Sequence, residues 1–194
     1  MRSIGRILAA LLVVSVTGGC ASTKGVLHGT YRDPNMDFGQ LQTVAVMPFV
    51  NLSRDPTAAD RVRDVFMTML LATQGVYVVP NGEVTRGVSR AGVAVPNAPT
   101  TEEVLKFVGA VKADAVITGT VREYGEVRSG STSANVVSVG LELIEGQTGK
   151  VVWSATSTKG GVTTIDRLFG GGGEPMNIVT EQAVNDLIDK LFSK

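Results

Sequence analysis

Thr43 to Phe49 reads Thr-Val-Ala-Val-Met-Pro-Phe, a near-continuous apolar run. With no polar side, such a run suits a strand buried on both faces, and that requires helices above and below a sheet. This narrows the chain to a layered α/β fold. Asn51 to Pro56 then makes a polar loop, and Thr57 with Asp60 has the spacing of a capping box. Ala58, Val62, Val65, Phe66, Met69 and Leu70 share one side of the helix that follows. Gln74-Gly75 predicts its end, because glycine closes helices without strain. Val76 to Val79 predicts a second strand, and Pro80-Asn81-Gly82 turns the chain. Glu83 to Arg90 predicts a short helix weakened by Gly87. Thr100 and Glu103 repeat the capping-box spacing before a helix expected to bury Val104, Leu105, Phe107 and Val108.

The second half changes character. Ala115 to Tyr124 predicts a third strand, and Val127 to Ser133 a Gly/Ser loop. From Val136 to Ile144 the pattern has period two: Val137, Val139, Leu141 and Leu143 against Ser138, Gly140 and Glu142. That is a strand with one exposed face. Gly146 to Gly149 turns it back into Val151 to Thr158, an antiparallel hairpin. Pro175 fits the first turn of a last helix carrying Ile178, Val179, Ala183, Leu187, Ile188 and Leu191. The fold class expected is α/β (α+β): a mixed sheet of about five strands with a carboxyl-terminal antiparallel meander, covered by three to four helices.

The amino terminus supplies an address. Arg2 and Arg6 precede an apolar run from Ile7 to Val16, and Thr17-Gly18-Gly19 leads to Cys20, the chain's one cysteine. This is the layout of a secretory signal. The run is shorter than the ~20 apolar residues that span a bilayer. The stretch resembles the lipobox of bacterial lipoproteins, in which the cysteine is acylated and becomes the new amino terminus. Thr17 stands where that family usually has Leu. The other reading is an ordinary signal cleaved elsewhere, with Cys20 a bystander. The domain organisation expected is therefore a signal peptide over 1–19, a lipidated Cys20 with a flexible tether over 20–40, and one periplasmic domain over 41–194. Gly25, Gly29, Pro34 and Gly39 suit the tether. Ala21 stands where an Asp would signal inner-membrane retention, so the resemblance implies the periplasmic face of the outer membrane.

Loss of Arg2 and Arg6 with the signal leaves the formally neutral chain slightly acidic. That sets nucleic acid aside as a partner, since such binding needs a basic patch. The mature chain is long enough for one domain with its own core. No cysteine remains in it for disulfides.

Three short stretches carry a further resemblance. They are Val44-Ala45-Val46-Met47-Pro48-Phe49 followed by Asn51; Ala113-Asp114-Ala115-Val116-Ile117-Thr118-Gly119; and Gly149-Lys150-Val151-Val152-Trp153. In this order, beside a lipobox, they resemble the CsgG-like and TolB-amino-terminal-like envelope lipoproteins. The group includes the lipoproteins of neisserial type and the lipoprotein activators of penicillin-binding proteins. The resemblance covers roughly Thr43 to Lys159. Each stretch also has a structural reading. Pro48 suits a strand end, Asn51 bonds its own loop, and Asp114 caps or turns the chain. Gly149 takes positive φ, and Trp153 packs.

Chemistry is sparse. His28, the only histidine, sits in the tether, which leaves neither a zinc cluster nor a Ser-His-Asp set. Gly146 to Lys150 joins two strands and lacks P-loop spacing. The expectation is no catalytic residue, no metal and no cofactor. The partners expected are the membrane, through the lipid on Cys20, and one or more envelope proteins, with self-association a further option. Two contact surfaces are expected, the exposed hairpin face and the pair Leu168 and Phe169. That pair is either a small interface or a lid on the core. The leading role is a non-enzymatic interaction module in envelope assembly or secretion. The resemblance also implies two alternatives, an activator of a peptidoglycan synthase and a subunit of a ring-forming secretion complex.

Overall fold

A computed structural model describes residues 29–162 and 173–193. Cys20, His28, Leu168 and Phe169 lie outside the described residues, as do the expected signal peptide and the first part of the expected tether. The strands are β1 (Thr30–Arg32), β2 (Thr43–Val46), β3 (Val50–Asn51), β4 (Tyr77–Val78), β5 (Ala115–Ser129), β6 (Thr132–Glu145) and β7 (Val151–Gly160). The helices are α1 (Ala58–Ala72), α2 (Asn81–Ala91), α3 (Thr101–Val111) and α4 (Met176–Phe192). One mixed sheet holds the strands in the order β1-β7-β6-β5-β2-β4, with β3 also on β5. β2 runs parallel to both β4 and β5, whereas β5, β6, β7 and β1 pair antiparallel. The mixed sheet, the meander and the helical cover agree with the fold class expected from the sequence.

β2 is buried on both faces. Val44 and Val46 join the cluster under α1 and α4, while Ala45 and Met47 join the one under α2 and α3. The first cluster is the larger. It includes Phe66, Val137, Val139, Leu141, Leu143, Leu187 and the fully buried Trp153. Trp153 Nε1 donates to the Lys190 carbonyl at 3.3 Å, so its one polar atom also finds a partner. Asp114 fastens the start of the sheet: its Oδ2 accepts the N–H groups of Gln42 and Thr43 at 2.9 and 2.8 Å.

Several local expectations change. The run from Thr43 to Phe49 is not one strand. Pro48 has no N–H to give the ladder, so pairing with β5 stops after β2 and resumes in β3. Arg63 reaches in from α1 and donates to the carbonyls of Val46 and Met47 beside this break, the latter at 2.9 Å. Part of the span expected as tether, 20–40, belongs to the folded domain. Thr30–Arg32 pairs with Ala155–Trp153 of β7, and Met36, Phe38 and Leu41 pack on the core. Together with the split at Pro48, this accounts for seven strands where five were expected.

Val127 to Ser133 is not a loop. β5 and β6 continue through it to a two-residue turn, with Gly130 at φ 65°. The capping box at Thr57 does not form. Asp55 instead accepts the Thr57 N–H and hydroxyl at 2.8 Å each. The box at Thr100 forms in full, with Glu103 also accepting the Ala94 N–H at 2.8 Å. Gln74, not Gly75, takes the left-handed conformation after α1; Gly75 makes room for the Phe192 ring. Leu105, expected to be buried, and Ile178, at helical spacing with the core residues of the last helix, are both more than a third exposed.

Candidate functional site

The helices cover the two faces of the sheet unequally. On the α2–α3 side, cover stops at the centre, and the antiparallel half stays open. Its side chains are small and polar. Thr118, Thr120 and Arg122 come from β5, Ser138, Gly140 and Glu142 from β6, and Ser154, Thr156 and Thr158 from β7. Cross-strand register sets Thr118 beside Glu142, Thr120 beside Gly140, Gly140 beside Thr156, and Glu142 beside Ser154. Ser138 and Thr158 share a hydroxyl hydrogen bond of 2.9 Å. Tyr31 on β1, opposite Ser154, is 50% exposed at the margin.

Asn97, Ala98 and Pro99, in the loop before α3, wall one side and leave a cleft of about 300 Å³. Arg122 crosses the floor. A Cβ on Gly140 would meet its Nη2 at 2.8 Å, so the glycine is what lets the guanidinium lie flat on the sheet. The floor thus offers hydroxyls that donate and accept, one cation and one carboxylate.

Arg122 also lines a neighbouring groove of about 740 Å³. β3 accompanies β5 only as far as Val121, where the Leu52 N–H reaches the Val121 carbonyl at 2.9 Å. Beyond that point β5 has no strand on this side among the described residues. An open edge presents unpaired backbone donors and acceptors to any extended segment. Arg54 and Arg61 flank it, and Leu52 is 65% exposed on the rim. Among the described residues, none of Arg54, Arg61 and Arg122 forms an ion pair. Asp55 in the same groove is held below the usual carboxylate range, chiefly by the Thr57 N–H and then by its hydroxyl. It therefore stays ionised at neutral pH.

The hairpin face expected to be exposed is exposed only in part. Ser138 and Gly140 are covered by their neighbours, and the exposed positions are Glu142, Thr156 and Thr158. The sequence reading missed the three arginines, which come from a loop, a helix and a strand and have no shared spacing. Among the described residues no group of three His, Cys, Asp or Glu side chains is placed to hold a metal ion. No helix among them is long and apolar enough to cross a membrane.

A mixed sheet with a helix-covered face and a half-open one is an architecture shared with solved bacterial proteins. The PelC dodecamer from Paraburkholderia phytofirmans superposes with a TM-score of 0.57 at 19% identity, over 84% of this chain and 97% of that one. Lipoprotein GNA1162 from Neisseria meningitidis gives 0.53 at 21%, over 76% and 99%. The carboxyl-terminal domain of LpoB from Salmonella enterica gives 0.48 at 14%, over 65% and 86%, too distant to carry an argument. A search of the curated proteins finds no match. The family described as "Putative lipoprotein GNA1162-like" matches residues 36–193. The chain belongs to that lipoprotein family, which is the neisserial type of the resemblance above; its CsgG-like and TolB-like side receives no support from these findings.

Proposed function

We propose that this protein is a lipid-anchored lipoprotein of the bacterial envelope. Cys20 carries the acyl chains, and the domain works without catalysis by binding another envelope protein, in assembly or secretion. Two or more chains on Cys20 give a durable anchor, since each buried CH₂ contributes about 0.8 kcal/mol. The outer membrane is the proposed location, on the strength of Ala21. The observation that carries the binding role is the uncovered antiparallel half of the sheet. There a flat hydroxyl floor, an arginine laid over a glycine and an open strand edge lie side by side.

Replacing Cys20 with Ser tests the anchor. The variant leaves the membrane fraction, and the mass of the wild-type amino terminus includes the lipid. An unmodified sulfur with a different first residue would refute it.

A second reading, self-association, is favoured by the dodecameric assembly of PelC at a TM-score of 0.57. Light scattering on the Cys20→Ser chain separates the two: a ring gives a mass many times that of the protomer, and a hetero-partner module gives a monomer. An activator of a peptidoglycan synthase is the other role inferred from the family resemblance. Synthase assays with and without the protein test it.

A further inference from the structure

A second site lies on the opposite, helix-covered face. Where the carboxyl-terminal ends of α1 and α4 meet the sheet, a cavity of about 210 Å³ remains. Val44, Ile117 and Leu143 of the sheet line it, with Leu70 of α1, Leu191 of α4 and the ring of Phe38. The space opens to solvent beside Arg32, but its walls are mainly apolar, so an occupant that displaces water from them is favoured by the hydrophobic effect. At about 30 Å³ for each water-sized volume, the space suits a medium-length alkyl segment.

The lining carries one charge among the described residues, Arg32. The guanidinium lies 3.7 Å from the centre of the Phe38 ring, and its Nη1 donates to the Leu191 carbonyl at 2.9 Å. No carboxylate among the described residues pairs with it. Five N–H groups sit on a guanidinium, so donors remain for an anion. The guanidinium fork matches a carboxylate, and on a single hydrocarbon tail that group is small enough for a space of this size.

We propose that this cavity binds the tail of a fatty acid, with its carboxylate on Arg32. The site is separate from the open face and does not depend on the acyl chains of Cys20. Phe38, Gly39 and Leu41, from the segment that leads into β2, form one wall of it.

The test uses the full chain carrying Cys20→Ser, purified without detergent and titrated calorimetrically with decanoate, decanol and decyltrimethylammonium. Decanoate binds at one saturable site and raises the melting temperature; decanol binds more weakly, and the cation does not bind. Arg32→Gln weakens decanoate about tenfold, the loss of one charge-assisted contact, and leaves decanol unchanged. Val76 also lines the space, and Val76→Trp fills it and abolishes binding of both while the protein still melts cooperatively. If that variant does not fold, Leu41→Trp replaces it. Absence of saturable decanoate binding to the folded chain would overturn the proposal. So would full binding in a folded cavity-filled variant, or a cation bound as tightly as the carboxylate.

Discussion

The two faces of the antiparallel meander are built from the same strands, yet they obey opposite rules. Toward α1 and α4, β6 and β7 present Val137, Val139, Leu141, Leu143, Trp153 and Ala155, all buried. Toward the other side the same strands present Ser138, Gly140, Glu142, Ser154, Thr156 and Thr158. Stability therefore resides on one face, and the other is free to meet a partner. Hydroxyls and a glycine keep that face flat and wettable. Substitutions should divide cleanly between the faces.

The largest effect belongs to the closed face. Trp153→Ala removes a fully buried ring and leaves a cavity, costing about 3–5 kcal/mol. At about 2–4 °C per kcal/mol for a chain of this length, calorimetry registers a fall of roughly 10 °C. Next is the start of the sheet, common to both faces. Asp114→Ala strips two backbone N–H groups of their acceptor and costs about 1–3 kcal/mol in denaturant titration. On the flank of the open half, Thr100→Ala opens the capping box of α3 at about 1 kcal/mol.

A pH series gives a smaller effect on the closed side. Burial raises the Asp186 pKa, but the hydrogen bond and charge of Lys190, with the Lys159 ammonium beside it, outweigh that, so the carboxyl is held below its usual 3.8. A carboxylate with a depressed folded pKa contributes stability that is complete above the unfolded value and is lost as pH falls through the folded one. The wild type thus loses stability below about pH 4, and Asp186→Asn, measured by melting across that window, flattens the loss. The least effect belongs to the open face. Thr156→Lys changes stability by under about 0.5 kcal/mol, yet it should abolish partner binding.

Periodicity made the closed face legible. The alternation from Val137 to Leu143 assigned the inward residues, and the Thr100–Glu103 spacing and the glycine turn before Trp153 marked real local structure. What stayed hidden depends on contacts distant in sequence. Thr30–Arg32 is too short to signal a strand and becomes one only because β7 leaves an edge to pair with. The far end of the hairpin reads as loop because Gly125, Gly130 and Ser131 break the apolar pattern, although 14 residues of each strand are paired. The open face was legible as an exposed side. Its cleft was not, because the placement of Arg122 over Gly140 follows from a register shift between Val121 and Glu123 that no local pattern encodes.

Site-specific photo-crosslinking in the native envelope tests the division of labour between the faces most directly. A photoreactive residue at Thr156, on the open floor, should give discrete covalent adducts with a partner protein. The same residue at Glu181, exposed on α4, should give none. Adducts from Glu181 with none from Thr156 would contradict the account.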